Sequence, residues 1–474
     1  MQATVTSQQQ PITIVVTNPR ENARAERRYM RWVNQNQTKS TAAVSLLFVY
    51  GGMELALGLG WNLYTDIPST WQFQYSWFIG VLAGAFLSSL LVTCIPKRMF
   101  YVLGSLLSLV DAIIFVSAPY EYPAILAARY IGGVGIGIIT VPFIIHSSEI
   151  AARDYRGICS SVEQYNLSVG IMIQMIYASR WSTDMDFPAN QVHGILGIIF
   201  SVLALGSIFT AVESPIFYLR QNQEEKARYC QQQLVRDFSS TSASESALTE
   251  AKLYVQDGNS KSYSSALMPF LKLLFYRCFV AFTFSVPLSW TIQWSSYIAE
   301  GSLISWPASI CGVLRMFGSL LAMLFLDKLG RKFIAMLSLL VMAGLMLTIA
   351  GIFATPEYAL NWYQMDAVVG LCLSFQFFAG LFTPSSTTYL GEAFPMRTKP
   401  YFIAFIVAVE QAIHIVVIVS FESTAESIYA YFLAVGIILV IGLIGFAVIM
   451  PETRHTTLRE AGVRFGNVHN IMSY

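Results

Sequence analysis

Residues 327–354 read DKLGRKFIAMLSLLVMAGLMLTIAGIFA. Four of the first six residues are charged, and the run from 333 to 354 then contains no charged side chain. A helix needs about 20 mainly apolar residues to cross the hydrocarbon core of a bilayer. The stretch therefore predicts a short charged link at a membrane surface, followed by a helix that spans the membrane.

The same pattern recurs along the whole chain. Of its 474 residues, 55% are hydrophobic and only 12% are charged, whereas soluble proteins carry about a quarter of charged residues. We predict an all-α integral membrane protein with twelve spans. They lie near 42–62, 74–95, 100–118, 123–148, 158–179, 192–212, 270–298, 303–326, 333–354, 363–390, 401–421 and 427–449. The first forty residues lack the pattern of a cleaved leader, so the first span is expected to act as the insertion signal.

The positive charges order these spans. The segments that alternate with the spans on one side carry nearly all the lysines and arginines, whereas those on the other side carry only Arg180. Cytoplasmic loops carry such an excess of positive charge. The pattern predicts cytoplasmic N- and C-termini, and the plasma membrane is the expected location because no retention signal is recognisable.

A long polar stretch divides the spans into six plus six. We predict a cytoplasmic tail (1–40), a six-helix bundle (41–212), a cytoplasmic linker (213–268), a second bundle (269–450) and a second cytoplasmic tail (451–474). Corresponding residues repeat at similar offsets. The basic residues Arg98 and Lys332 are 332 − 98 = 234 positions apart. The glutamates give 392 − 149 = 243 and 452 − 213 = 239. This similarity indicates an internal duplication, as transporters commonly have.

Four motifs resemble those of the sugar-porter branch of the major facilitator superfamily. They are Asp327-Lys-Leu-Gly-Arg-Lys332, the span 4 to 5 pattern from Arg129 to Gly157, Glu213-Ser-Pro215, and Pro451-Glu-Thr-Arg454. The Gly60-Trp61 pair is similar to insect members of this branch, among them facilitated sugar and trehalose transporters. The resemblance implies two pseudo-symmetric six-helix bundles that move a small polar solute, a sugar first of all, by alternating access.

The resemblance also implies a latch of acids and bases at the cytoplasmic helix ends. Charges at these positions are favoured by the helix dipoles, and the pairs would break when the protein opens inward. The latch candidates are Arg98, Arg129, Glu149, Arg156, Glu213, Asp327, Arg331, Lys332, Glu392, Arg397, Glu452 and Arg454. The alternative is that they are solvated charges that follow the positive-inside rule. The first-half link has Thr93 and Pro96 where the family has Asp and Gly, which predicts a weaker latch in that half.

The substrate is expected between the two halves. Gln164 matches a sugar-contacting glutamine of the family, and Asn62 stands where proton-coupled members tend to have Asp, which favours passive transport. The family's amide-rich motif of span 7 and its tryptophan of span 10 are missing at 286–292 and 383–387, which weakens the expectation of a sugar. The full set of substrate candidates is Asn62, Gln164, Gln293, Trp294, Arg315, Thr387, Glu410, Gln411 and His414.

Charged residues inside the spans point to function because they are costly in a membrane. We predict that Arg315, Glu410 and His414 line the cavity, with Arg315 able to hold a carboxylate and His414 able to titrate near neutral pH. The alternative is a structural Arg315–Glu410 pair between two helices. For Glu54 and Asp111 a role in helix packing or at a helix end is favoured.

Three functions remain open at this point. The leading one is a facilitative carrier of a sugar or another small polar solute; the second is a proton-coupled carrier of organic anions or other charged solutes. The third is a receptor-like relative that does not transport. We predict no enzyme and no cofactor, because there is no metal-ligand cluster and no nucleophile motif, and the glycine run 132–137 lies inside span 4. The expected partners are a small solute and the lipid bilayer; a net charge of +1 gives no reason to expect nucleic acid, and the protein is predicted to be monomeric.

Overall fold

The computed structural model describes residues 19–63, 65–180, 187–235, 241–301 and 306–469. Every regular element in these ranges is helical, which confirms the predicted all-α fold. The predicted N-terminal tail up to residue 18 and the last five residues of the C-terminal tail lie outside the described residues.

The first half contains six long helices. Their bounds are α1 Pro19–Gly58, α2 Trp71–Leu91, α3 Lys97–Ser117, α4 Tyr122–Ile150, α5 Arg156–Arg180 and α6 Ala189–Ser207. In the described part of the chain, eleven helical segments are long and apolar enough to cross a membrane. The twelfth predicted span is α5, which has 25 residues and is therefore about 37 Å long. Its apolar signal is weaker because Glu163, Gln164 and Gln174 are buried inside the bundle.

Three α-helices lie in the described part of the predicted linker: α7 Pro215–Arg220, α8 Glu224–Val235 and α9 Thr241–Ser260. Lys252 of α9 donates to Glu224 of α8 at 2.7 Å, and this bond lowers the pKa of the exposed Glu224 carboxyl. We call the end of the bundle that carries these helices the linker face, and the other end the opposite face.

The second half contains α10 Leu267–Phe282, α11 Val286–Glu300, α12 Trp306–Leu329, α13 Arg331–Phe353, α14 Trp362–Phe382, α15 Pro384–Ala393, α16 Lys399–Ser420 and α17 Ala425–Ile449. A last helix, α18 Leu458–Gly466, lies in the C-terminal tail.

Two spans that the sequence predicts as continuous are broken in the structure. The predicted span 270–298 consists of α10 and α11, and the predicted span 363–390 consists of α14 and α15. Pro287 and Pro384 lie in the first turn of the second segments. Proline has no backbone N–H and clashes with the preceding turn, so it suits a helix start and interrupts a helix interior. Such interruptions near the midplane often mark the binding site of a transporter.

Glycines allow the helices of the first half to approach closely. A Cβ atom on Gly133 or Gly137 of α4 would collide with the carbonyl oxygens of Trp77 and Val81 on α2. Small residues at a contact between membrane helices let the backbones pack together. The glycine run therefore serves helix packing, as the sequence predicts.

The two halves meet along a few helices. The helix α5 packs against α12 and α15, and α2 packs against α16. The contact between the halves is therefore formed mainly by these helices.

Candidate transport site

A guanidinium and two carboxylates form a buried cluster between the halves. Arg277 of α10 donates from Nε to Glu410 of α16 at 2.5 Å, and its Nη2 lies 3.7 Å from Glu163 of α5. Arg277 Nη1 also donates to Ser386 Oγ at 2.7 Å. We call Glu163, Arg277 and Glu410 the central cluster. Because isolated charges are costly in a membrane, each of these groups depends on the others.

Glu163 joins the central cluster to both halves. It accepts from Thr387 Oγ1 of the second half at 2.8 Å and from Gln164 Nε2 of its own half at 3.3 Å. The structure thus brings Gln164, Thr387 and Glu410 together, three of the side chains that the sequence proposes as substrate contacts. They form a polar site where the halves touch.

Arg315 of α12 donates hydrogen bonds to the polar groups that are exposed where the chain breaks between α10 and α11. Its Nη1 donates to the Thr283 carbonyl at 3.0 Å, its Nη2 donates to Thr283 Oγ1 at 3.1 Å, and Nη1 also reaches Gln376 Oε1 at 3.1 Å. Exposed backbone groups at membrane depth need such partners. The alternative of an Arg315–Glu410 pair is wrong, because Glu410 is bonded to Arg277, and Arg315 forms no salt bridge within the described residues.

His414 and Gln411 lie beside the central cluster on α16. The His414 ring stacks on Phe78 of α2, with 4.8 Å between centroids, and this contact joins the two halves. In the described part of the chain, His414 has no hydrogen bond to Glu410, one turn away. The side-chain oxygen of Gln411 is buried and has no hydrogen-bond partner among the described residues. It is an acceptor that a bound solute could use.

The opposite face is closed by hydrogen bonds between the end of α1 and α11. Trp61 Nε1 donates to Ser289 Oγ at 3.0 Å, and Gln293 Nε2 donates to the Gly60 carbonyl at 2.8 Å. Gln174 of α5 holds the same segment, since its Nε2 donates to the Trp61 carbonyl at 2.7 Å. We call these residues the opposite gate. Gln293, predicted to bind substrate, is therefore used in this closure.

Two further candidates have other surroundings than predicted. Trp294 donates to the Ala359 carbonyl at 3.0 Å, in the loop before α14, and it stacks on Trp290 with 5.2 Å between centroids. Trp294 follows Gln293 on α11, so its side chain points to a different side of the helix and packs within the second half. Asn62 follows Trp61 and is half-buried, and its carbonyl accepts from Thr65 Oγ1 at 2.9 Å.

Each half has its own ion pairs at the linker face. In the first half, Lys97 Nζ lies 3.3 Å from Glu149 and 3.6 Å from Glu213. In the second half, Arg331 contacts Glu392 and lies 3.2 Å from Asp327. Lys97 and Arg331 occupy corresponding positions, as do Glu149 and Glu392, so the duplication is visible as a repeated pairing.

Other contacts at the linker face cross between the halves. Arg156 Nη1 lies 3.1 Å from Glu392, and Lys399 Nζ donates to Ser148 Oγ at 2.9 Å. These two basic residues are related by the repeat, since 399 − 156 = 243, the same offset as for the glutamates. Closure of this face consequently uses both copies of the duplicated motif.

Asp327 adds a cross-half contact that has no counterpart in the other copy. Its carboxylate accepts from the backbone N–H groups of Gly157 at 3.0 Å and Ile158 at 3.1 Å, at the start of α5. At the start of α16, which corresponds to α5, the N-cap residue Thr398 makes no capping hydrogen bond with its side chain within the described part of the chain. Thr93, which stands in the place of Asp327, lies 3.5 Å from the sulfur of its neighbour Cys94 and makes no hydrogen bond to the other half within the described residues. The first-half link is thus the poorer one, in line with its departures from the family pattern.

Four latch candidates make contacts within the second half. Glu452 accepts from the Lys332 backbone N–H at 3.0 Å and lies against Gly330, whose φ is +100°. Arg454 donates to the Lys328 carbonyl at 2.5 Å, and Arg397 lies over the Tyr263 ring at 4.8 Å. These contacts hold helix ends of the same half rather than joining the halves.

Two residues do not belong to the predicted latch. Arg98 forms no ion pair within the described residues, because its neighbour Lys97 is the buried member of the link and makes the contacts. Arg129 lies seven residues after the start of α4, far from the linker face, and its Nη1 lies 2.8 Å from Glu54 Oε2. Glu54 also lies 2.7 Å from His193 Nε2 of α6.

Glu163, Arg277 and His193 are buried polar contacts that the sequence patterns did not predict. None of the three belongs to the motifs that carry the family resemblance. A signal was present for all three, since each is an ionisable residue inside a predicted span. Which groups they pair with follows only from the packing of α1, α5, α6 and α16.

Comparison with known proteins agrees with this architecture. The sequence profile of the family described as "Sugar (and other) transporter" matches residues 28–465. The glucose transporter GlcP of Staphylococcus epidermidis is 26% identical over 406 residues, which cover 81% of this chain and 86% of the relative. The facilitated trehalose transporter Tret1 of Drosophila pseudoobscura pseudoobscura is 22% identical over 409 residues, 80% of this chain and 44% of the relative.

Solved structures share the fold. A proton:xylose symporter of the major facilitator superfamily, XylE, bound to 6-bromo-6-deoxy-D-glucose, superimposes with a TM-score of 0.71 at 18% identity; the match covers 92% of this chain and 99% of that one. The partially occluded, inward-open xylose transporter from E. coli gives a TM-score of 0.65 at 17% identity, covering 90% and 98%. Since the family profile covers nearly all of the described residues, the chain belongs to the Sugar (and other) transporter family, and it is a membrane transporter rather than an enzyme.

Proposed function

We propose that this transporter carries a sugar, or a polar solute of similar size, by alternating access between its two halves. The observation that supports this is closure at both ends by polar contacts between the halves. Arg156–Glu392 and Asp327–Gly157 close the linker face, and Trp61–Ser289 and Gln293–Gly60 close the opposite face. Hydrogen bonds and ion pairs of this kind exchange with water at modest net cost, so each face can open while the other stays shut.

The polar site between the gates supports a hydroxyl-rich substrate. Gln164, Thr387 and Gln411 offer amide and hydroxyl groups next to the central cluster. A site built of such donors and acceptors selects substrates by their hydroxyl groups. The relatives named for glucose and trehalose transport support the same substrate class.

An organic-anion substrate has less support. That prediction relied on Arg315 as the partner of a substrate carboxylate. Both terminal nitrogens of its guanidinium are used on Thr283 and Gln376, at the break of span 7. The central cluster offers no free cation either, since its one guanidinium already lies between the carboxyl groups of Glu163 and Glu410.

We propose that transport is facilitated, which means that it is not coupled to an ion gradient. This proposal relies on the resemblance at Asn62, where proton-coupled members of the family tend to have Asp. Proton coupling is a second candidate, and a specific observation favours it. His193 lies between the carboxylate of Glu54 and the amide of Gln174, both within hydrogen-bond distance and far from the linker face.

We also propose that the linker face is cytoplasmic, with both termini on that side, and that the protein works as a monomer in the plasma membrane. The excess of positive charge at this face supports the orientation. The expectation that it does not bind nucleic acid stays a prediction.

Uptake of labelled sugars into proteoliposomes tests the proposed function. We expect saturable uptake that Gln164→Ala weakens, because the substrate loses an amide partner. Gln256→Ala, which changes an exposed amide on α9, is the matched control and should leave uptake unchanged. Saturable uptake of carboxylates but of no sugar would overturn the proposal, as would equal effects of the two variants.

A further inference from the structure

An apolar groove lies on the outside of the bundle, where the two halves meet near the linker face. Its volume is about 390 Å³, and ligand pockets of proteins have volumes of about 300–1,000 Å³. We call it the seam groove. It is lined by Phe86 and Leu90 of α2, Phe270 of α10, and Tyr401, Phe402 and Phe405 of α16.

Aromatic packing shapes the seam groove. The Phe270 ring packs against Phe402 and Phe405, with 4.9 Å and 5.6 Å between centroids. The side chains at its rim remain open to the surroundings, since Leu90 is 61% and Tyr401 46% exposed. The groove is therefore a formed cleft that holds no side chain of this protein within the described residues.

The helix ends place the seam groove in one leaflet of the bilayer. Leu90 is next to the last residue of α2, Phe270 is in the first turn of α10, and Tyr401 is in the first turn of α16. All three ends lie at the linker face, which carries the excess of positive charge. The groove consequently faces the lipid tails of the leaflet on that side.

A small basic pocket continues the seam groove toward the linker face. It is lined by Val92, two residues after Leu90, and by Pro400, one residue before Tyr401. Its volume of about 10 Å³ leaves room for about one water molecule. A larger anionic group would therefore lie at the mouth of this pocket, beside the end of the groove.

Three cations near this mouth have no acidic partner. The one carboxylate that lines the pocket, Glu149, lies 3.3 Å from Lys97. Arg220 and Lys399 also line the pocket, and Arg397 is exposed beside it. Within the described residues, none of these three cations forms a salt bridge. Positive charge is thus available next to an apolar cleft.

We infer that the seam groove binds an acidic phospholipid, with an acyl chain in the groove and the phosphate beside Arg220 and Arg397. The cytoplasmic leaflet is rich in anionic lipids, and basic pockets between membrane helices on that side bind their headgroups. A soluble anion would leave the groove unused, and an uncharged lipid would leave the cations unused. The occupant that uses both is a lipid with a negative headgroup.

The bound lipid stabilises the closed linker face. The helix α2 belongs to the first half, whereas α10 and α16 belong to the second, and α2 packs directly on α16. The seam groove exists only while these helices are in contact. Lipid that fills it therefore favours the state in which the halves are together at this face, whatever solute the protein carries.

Native mass spectrometry of the full chain, stripped of lipid in detergent, tests the binding. Phosphatidylglycerol and phosphatidylcholine with the same acyl chains are titrated side by side, and we expect phosphatidylglycerol to bind more tightly. Arg220→Gln with Arg397→Gln should weaken phosphatidylglycerol by about fivefold for each cation removed. Lys328→Gln, which removes an exposed cation at the same face on α12, is the matched control and should have no effect.

Leu90→Trp tests the groove itself. Leu90 lies at the exposed rim, so a larger ring can fill the groove without entering the core. We expect weaker binding of phosphatidylglycerol, whereas Leu103→Trp, on the lipid-facing side of α3 and 45% exposed, should bind as the parent does. Thermal unfolding without lipid checks that both variants are folded.

The effect on the halves is measured in nanodiscs. Spin labels on Met99 and Leu329 should show a larger population at short distance when phosphatidylglycerol is added to phosphatidylcholine, and Leu90→Trp should lose this response. Equal affinity for the two lipids would overturn the inference, as would unchanged phosphatidylglycerol binding in either the arginine variant or Leu90→Trp. None of these results depends on whether the solute is a sugar.

Discussion

Replacing Asp327 by asparagine should weaken closure of the linker face. The Asp327 carboxylate accepts from Gly157 N–H at 3.0 Å and Ile158 N–H at 3.1 Å, at the first turn of a helix in the other half. A negative charge at a helix N-terminus contributes about 0.3–1 kcal/mol, up to ~2 kcal/mol when partly buried. Hydrogen bonds to a charged group contribute about 1.5–3 kcal/mol. Asparagine keeps one acceptor and loses the charge, so we expect the closed state to lose about 2–3 kcal/mol.

This loss is large enough to measure as a change in populations. Since 1.4 kcal/mol is a factor of ten, the ratio of open to closed states should rise roughly 30- to 140-fold. Spin labels on Met99 of α3 and Leu329 of α12, which are 59% and 55% exposed, report the distance between the halves at this face. Pulsed dipolar spectroscopy in nanodiscs, with Cys94 changed to serine, should show a longer distance gaining population in Asp327→Asn.

Glu452→Gln is the matched control. It also replaces a carboxylate at the linker face by an amide, but the half-buried Glu452 carboxylate accepts from the backbone N–H groups of Lys332 and Arg454, which belong to its own half. It should lower thermal stability without changing the distance distribution. An unchanged distribution in Asp327→Asn, or an equal shift in Glu452→Gln, would refute the assignment of Asp327 as a contact that closes the linker face.

Further predictions concern the buried charges. Arg315→Met should lower the free energy of unfolding by about 1–3 kcal/mol in a thermal unfolding assay, because Thr283 loses its donors; an unchanged melting temperature would contradict the capping role. Arg277→Met should cost about 3–5 kcal/mol, because two carboxylates are left buried without a partner. The double variant Arg277→Met with Glu410→Gln should recover part of that loss, and a double variant less stable than Arg277→Met alone would contradict the pairing. Glu163→Gln should weaken the contact between the halves and leave the Arg277–Glu410 pair intact, so its cost should be smaller than that of Arg277→Met when both are measured side by side.

The spans and the duplicated charges could be predicted because they depend on local sequence. A run such as 333–354 has only one stable arrangement in a bilayer, and the positions of Glu149 and Glu392 are related by the duplication. The glycines of α4 likewise predict close packing wherever the neighbouring helix lies. These features need no knowledge of which helices are neighbours.

The pairing of buried charges could not be predicted in this way. The sequence places Glu410 and His414 on one helix face, but it does not say that α10 lies opposite and presents Arg277. The same holds for Arg129, whose partner Glu54 is on another helix, 75 residues away in the chain. A residue motif reports that a charge is present, whereas its partner is decided by how the helices are rotated and where α10 breaks.

Counterflow tests the central claim most directly. Proteoliposomes are loaded with an unlabelled sugar, glucose or trehalose, and diluted into the same sugar carrying a label at trace concentration. If the linker face and the opposite face open in alternation around the central cluster, labelled sugar should accumulate transiently inside above its external concentration. Gln164→Ala should reduce this accumulation. Binding of the sugar in a thermal-shift assay without any counterflow would contradict alternating access and favour a receptor-like protein that does not transport.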